Sequence, residues 1–230
     1  MGKITAIVLA AGKGNRMHSE VPKQFLELDG KPVLYYSLNA FEQSNVDSII
    51  LVTGKDDIEY CKEQIIEKYH FNKVRTVVEG GTERYWSVKN GLAAAKCAEY
   101  VLIHDAARPC IGQDIIERSI IEVMRNGSCT VGMPVKDTIK IADAAGFAET
   151  TPDRSLLWII QTPQVFETEL VKRAYGKLME QKEIHVTDDA MVVEQMLGEK
   201  VKLVQGSYEN IKITTPEDLD IAAIFVEKLK

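Results

Sequence analysis

Short apolar runs alternate along the chain with stretches in which apolar residues recur every three or four positions. The runs Ile4–Leu9, Ser48–Val52, Arg75–Val78, Tyr100–His104, Thr130–Pro134 and Val201–Gln205 are nearly continuous and rich in valine and isoleucine. That is the pattern of strands covered on both faces. Between them the spacing predicts helices near Leu34–Gln43, Asp57–Tyr69, Arg84–Ala95, Asp114–Asn126, Glu169–Gln181 and Ala190–Leu197. Strand, crossover helix and strand in repetition predict an α/β fold with a doubly wound, mostly parallel sheet. A last helix is announced by Thr215-Pro216-Glu217-Asp218, which offers an N-cap, a proline at the first helical position and an acidic residue two positions later.

One segment breaks this rhythm. Residues 136–158, "KDTIKIADAAGFAETTPDRSLLW", read as two short extended pieces around Ala144-Ala145-Gly146. Such a hairpin has too little apolar surface to support itself. It is expected to be an arm resting on another body, for which a second copy of the chain is the economical candidate. The 230 residues suit one domain spanning 1–230, with 136–158 as the extended dimerisation arm.

Composition narrows the function classes. The formal charge of −6 argues against a nucleic-acid partner, though not against a local cationic pocket. No apolar run approaches the roughly 20 residues that span a bilayer, so no membrane partner is expected. Cys61, Cys97, Cys110 and Cys129 show no C-x-x-C spacing. Reduced thiols in a cytoplasmic protein follow from that pattern.

The chemistry gathers at strand ends. The loop after the first run contains Ala10-Ala11-Gly12, Gly14 and Arg16, followed by Pro22-Lys23. It is neither a P-loop, which needs Gly-Lys-Ser/Thr, nor a dinucleotide fingerprint, whose third glycine is replaced by Met17. Small residues still let backbone N–H groups approach an anion, and Arg16 and Lys23 add two cations. After the third run, Gly80-Gly81 permits close backbone approach, and Thr82 and Ser87 supply hydroxyls. After the fourth, "HDAARP" brings Asp105 and Arg108. A carboxylate at a strand end suits Mg²⁺ held by one or two protein oxygens with phosphates completing the shell. The plain alternatives for Asp105 are a helix N-cap or a salt bridge with Arg108. Lys212, between Ile211 and Ile213, is either an edge-strand solubiliser or a buried cation awaiting an anion.

Other chemistries find no support in the sequence. The four histidines lack zinc-site spacing, and no G-x-S-x-G elbow is present. Asp188-Asp189, before an apolar stretch, reads as helix-start chemistry. The cations and Asp105 together suit direct displacement at phosphorus, where catalysis is positioning and charge stabilisation.

Nine segments in order, "LAAGKGNRM", "PKQF", "EGGTERYWSV", "HDAARP", "PVKDTIK", "DRSLLW", "QTPQVF", "TDDA" and "NIKITTPEDL", resemble the 2-C-methyl-D-erythritol 4-phosphate cytidylyltransferase family along essentially the whole chain. The resemblance implies a Rossmann-like nucleotidyltransferase fold with a protruding β-arm and a homodimer embracing through the arms. It also implies Mg²⁺-dependent transfer of CMP from CTP to a polyol phosphate, methylerythritol phosphate, with release of pyrophosphate. Carried over position by position, it implies that Ala10, Ala11 and Gly12 cradle CTP, and that Arg16 and Lys23 stabilise its phosphates. Gly81, Thr82 and Ser87 would contact base and ribose, with Thr82 standing where some relatives have aspartate, and Ala106 would line the ribose. Asp105 and Arg108 would lie near the metal and the second substrate. Thr138, Thr162 and Lys212 would hold that substrate, and Arg154 would reach into the partner's site. Ribitol-5-phosphate cytidylyltransferases are the nearest alternative, from which Ala10-Ala11-Gly12, Ala107 and "DRSLLW" separate this chain. A non-catalytic nucleotide-binding scaffold is the alternative of another class, and the full set of charges argues against it.

Overall fold

The computed structural model describes residues 2–12, 17 and 21–228. A seven-stranded sheet is formed by β1 (Ile4–Ala10), β4 (Ser48–Thr53), β5 (Val74–Glu79), β6 (Tyr100–Asp105), β7 (Ser128–Pro134), β10 (Trp158–Glu167) and β11 (Lys202–Gln205). Their spatial order is β11-β7-β10-β6-β1-β4-β5. All neighbours pair in parallel except at β10, which runs antiparallel to both β6 and β7. A two-residue ribbon, β2 (Glu27–Leu28) with β3 (Lys31–Pro32), precedes the first helix.

The helices are α1 (Val33–Glu42), α3 (Arg84–Ala94), α4 (Gln113–Asn126), α5 (Thr168–Leu178), α6 (Asp189–Leu197) and α7 (Glu217–Glu227). Where one helix was expected over Asp57–Tyr69, a single α turn, α2 (Ile58–Tyr60), widens into a π-helix over Cys61–Glu67. Alternate residues of each central strand feed opposite cores. Ala6, Val8, Ile49 and Leu51 pack with α1 and α4 on one face. Ile7, Ile50 and Val52 pack with α3, α5 and α6 on the other. This two-sided covering is why the strand sequences are continuously apolar.

The predicted strands appear with ends shifted by one or two residues, and the mostly parallel, doubly wound class is confirmed. β10 is the exception, a central strand that the hydrophobic pattern did not announce. Pro163 sits inside it, and its pairing with β7 slips between Ile160 and Gln164. A proline and a bulge disguise a strand in sequence. Nor does Lys212 lie in a strand, because residues 206–214 run irregularly into α7. The last helix starts one residue later than expected: α7 begins at Glu217 with Pro216, not Thr215, at its N-cap and no side-chain cap, while Asp218 Oδ2 accepts hydrogen bonds from the Thr214 and Thr215 N–H groups at 2.7 and 2.8 Å.

The segment 136–158 does form a hairpin, with β8 (Ile141–Ala142) antiparallel to β9 (Ala148–Thr150). Its turn is closed by Asp143 Oδ1, which accepts from Ala145 N–H and Phe147 N–H at 2.9 Å each. Phe147 and Leu156 are 73% and 77% exposed, so these apolar side chains gain nothing from this chain's own cores.

Candidate active site

The chain leaves β1 toward β4 on one side and later returns to β6 on the other. That makes the β1–β6 boundary the topological switch point, where α/β sheets bind ligands beyond the carboxyl ends of their strands. A cleft of about 550 Å³ opens there. Ala10, Ala11, Gly12, Lys23, Gly81, Thr82, Ser87, Asp105, Ala106 and Lys212 all line it, so residues from five separate stretches of sequence share one cavity. Arg16 falls outside the described residues.

The floor is backbone drawn close by small residues. A Cβ on Gly80 would collide with Ala11 and lie 2.9 Å from Ser87 Oγ. Ser87 is buried, and its Oγ accepts from Gly81 N–H at 3.0 Å, so the hydroxyl shapes the turn. Gln24, also buried, donates to the Ala10 carbonyl at 2.7 Å and ties the second loop to the first. Lys23 Nζ donates to the Ile213 carbonyl at 2.9 Å. Residues 190 apart in sequence thereby become neighbours across the cleft mouth.

Asp105 is the electrostatic centre. Lys212 Nζ donates to its Oδ2 at 2.7 Å, and Arg84 Nε donates to its Oδ1 at 3.2 Å. Burial alone would raise the carboxyl's pKa, but Arg84 and Lys212 outweigh it and hold the group well below the usual carboxylate range. Neither plain alternative for this residue survives. It does not pair with Arg108, whose guanidinium donates to the Asn210 carbonyl at 2.8 Å and to the Ile160 carbonyl at 3.5 Å. That placement fastens the "HDAARP" turn to β10, and Arg108 is not among the residues lining the cleft.

Arg84 was not singled out by sequence reasoning, although it opens α3 directly after the glycine turn. Its two terminal nitrogens each donate to Asp189 at 2.8 Å. Asp188 and Asp189, read together as helix-start residues, therefore divide their work. Asp188 caps α6 by accepting from Met191 N–H at 2.8 Å, whereas Asp189 is completely buried against Arg84. The arginine's charge is locked by this pairing, since the two carboxylates outweigh the cost of its burial.

Thr162, expected at the second substrate, is buried under the site. Its hydroxyl accepts from Asp105 N–H at 3.1 Å and meets His104 Nδ1 at 3.1 Å. His104 Nε2 lies 3.2 Å from the Arg108 carbonyl, which can only accept, so the proton sits on Nε2 and Thr162 donates to Nδ1. Burial pushes this imidazole down to about 4 and keeps it neutral. Its unfolded value lies near 6.5, so the unfolded chain takes up the proton first on acidification. His104 is accordingly expected to cost about 3 kcal/mol of stability as pH falls from 6.5 to 4. Denaturant titrations across that range should show a shallower loss for His104→Gln, and parallel slopes would contradict the neutral assignment.

Thr138 and Arg154 are exposed near the base of the arm and are not among the residues lining the cleft. Arg154 donates to the Lys136 carbonyl at 2.8 Å and so ties together the two ends of the arm. The buried thiols take no part: burial raises Cys61 to about 11 and Cys110 and Cys129 to about 12. Among the described residues no cluster of three or more metal-ligating side chains occurs, and no helix is long and apolar enough to cross a membrane.

A doubly wound sheet with a small-residue cradle and a lysine–aspartate–arginine set at its switch point has the architecture of the α/β nucleotidyltransferases. The 2-C-methyl-D-erythritol 4-phosphate cytidylyltransferase family profile matches residues 4–228, and the chain belongs to that family. A protein of that name from Lachnospira eligens is 55% identical over 225 residues, covering 97% of this chain and 99% of the relative. One from Caldanaerobacter subterraneus is 48% identical over 98% of this chain and 99% of its own. Among solved structures, 4-diphosphocytidyl-2C-methyl-D-erythritol synthase from Anaerococcus prevotii superposes with a TM-score of 0.87 at 37% identity, covering 98% and 96% of the two chains.

Proposed function

We propose that this protein transfers CMP from CTP to 2-C-methyl-D-erythritol 4-phosphate, giving 4-diphosphocytidyl-2-C-methyl-D-erythritol and pyrophosphate. The observation that carries the reading is the pairing of Lys212 with Asp105 at 2.7 Å, directly beside the small-residue cradle of Ala11, Gly12 and Gly81. An anionic nucleotide and an anionic acceptor repel each other, and a cleft that presents Lys23, Lys212 and Arg84 offsets that repulsion.

In the reaction, an oxygen of the acceptor's phosphate attacks the α-phosphorus of CTP in line. The bond from that phosphorus to the oxygen bridging α and β breaks as the new one forms, and pyrophosphate leaves with the electron pair. The backbone at Ala10, Ala11 and Gly12 cradles the triphosphate. Arg16 and Lys23 hold the charge that grows on the leaving group, while Lys212 orients the attacking phosphate. Gly81, Thr82, Ser87 and Ala106 form the nucleoside side of the cleft. A lone carboxylate fits Mg²⁺ that arrives on the triphosphate, because Mg²⁺ keeps most of its shell in phosphate oxygens and water. Asp105 would hold it, and the ion would neutralise phosphate charge there. We place Thr138 and Arg154 at the acceptor site of a partner subunit, in a cytoplasmic homodimer joined through the arms. The exposed Phe147 and Leu156 support that reading, since a partner would cover them.

Two measurements test the proposal. Pyrophosphate release from CTP and Mg²⁺ is expected with methylerythritol phosphate and far less with ribitol 5-phosphate. The reverse preference, or no release with either, would overturn it. Gly80→Ala, which pushes a methyl group into Ala11 at the cradle, is expected to raise the KM for CTP about tenfold, roughly 1.4 kcal/mol of lost binding. An unchanged KM would show that the close approach is not used by the nucleotide.

A further inference from the structure

The buried side of the site carries one more inference, which rests on the function proposed above. Asp189 is fully buried and is not among the residues lining the cleft, yet it is held from three elements. Its carboxylate accepts both terminal nitrogens of Arg84 at 2.8 Å, from α3, and the Tyr175 hydroxyl at 2.6 Å, from α5. From β10, Gln164 Oε1 accepts the Asp189 and Ala190 N–H groups at 2.9 Å each, while Gln164 Nε2 donates to Asp188 at 3.0 Å. Asp189 is the main counterion of Arg84, because the Asp105 carboxylate is shared with Lys212, but charge balance alone does not fix how the guanidinium is turned. Burying another charge is costly unless it is fully paired.

Its effect is geometric. A guanidinium facing one carboxylate docks on it through two parallel bonds. With its fork occupied by Asp189, Arg84 offers Asp105 only the single Nε–H at 3.2 Å. The other Asp105 oxygen is left to Lys212 and the cleft. We infer that Asp189 is a positioning residue for nucleotidyl transfer: by occupying the Arg84 fork it keeps the Asp105 carboxylate turned toward Lys212.

Asp189→Asn tests this with almost no change of volume. The amide supplies one acceptor instead of two and aims an N–H at the guanidinium, so the fork turns to Asp105 and draws that carboxylate away from Lys212. The variant is expected to lose about 10- to 100-fold in kcat with the KM for CTP changed by less than about threefold. The Arg84 Nε–H resonance of the substrate-free protein is expected to move, which a purely structural loss of stability would not produce. A folded variant with wild-type kcat, or with that resonance unmoved, overturns the inference. Tyr175→Phe, which keeps both charges and removes one hydrogen bond to Asp189, covers the case in which Asp189→Asn does not fold. It should shift the resonance in the same direction and lower kcat a few-fold, and no change in either overturns the inference. A wild-type protein inert toward CTP would sink the proposed function instead. The resonance, read without substrate, would then decide the geometry alone, an unmoved signal counting against it.

Discussion

Lys212→Ala is expected to lower kcat about 10²- to 10³-fold while leaving the melting temperature within a few degrees of the parent. The large effect follows from placement. Lys212 Nζ stands 2.7 Å from Asp105 in the cleft, where the attacking phosphate must approach an α-phosphorus that already carries negative oxygens. Losing one preorganised charge at such a point removes roughly 3 kcal/mol of transition-state stabilisation. The small effect follows from exposure. The lysine side chain is 36% exposed, so its ion pair is partly hydrated and worth no more than about 1 kcal/mol to folding. For a chain of this length that is about 2–4 °C. Steady-state pyrophosphate release and calorimetry on the same preparation separate the two quantities. Near-normal turnover would remove Lys212 from the reaction.

Asp105→Asn is expected to damage both. Its carboxylate side chain is only 11% exposed and is shared by Arg84 and Lys212. Removing its charge leaves two cations facing each other without a common counterion. The stability cost lies between that of an exposed pair and a buried one, about 2 kcal/mol. Turnover should fall at least as far as for Lys212→Ala, because the carboxylate orients both cations. The pH dependence carries a further signature. The folded pKa of Asp105 is depressed below its unfolded value of 3.8, so its contribution is present above that value and is lost as pH falls further. The parent should therefore lose stability more steeply below pH 4 than the variant. Equal acid limbs would mean that the two cations do not hold Asp105 as the geometry shows. The contrast between the variants, activity alone for Lys212 and activity with stability for Asp105, is itself diagnostic.

How much of this was legible beforehand differs from residue to residue. The continuous runs at Ile4, Ser48 and Tyr100 could be read as buried strands because both faces of each are covered. β10 was hidden because Pro163 and a slipped register interrupt the pattern that marks a strand. Lys212 was ambiguous between an edge-strand solubiliser and a buried cation awaiting an anion, and only the tertiary structure shows that it is in no strand and pairs with Asp105. Asp188 and Asp189 look identical in sequence, yet one caps a helix and the other anchors Arg84 from within the protein.

By itself, then, the sequence determined the α/β class, the position of the arm, the family and the stretches that supply the cleft. The class and the arm are matters of periodicity, which local physics controls, while the family rests on the ordered motifs that resemble it. The tertiary structure decided which charges meet. Arg84 joins Asp105 across 21 positions and Asp189 across 105, and Lys23 reaches the Ile213 carbonyl across 190. Contacts at such separations depend on strand order and crossover, and no local pattern in the chain encodes them.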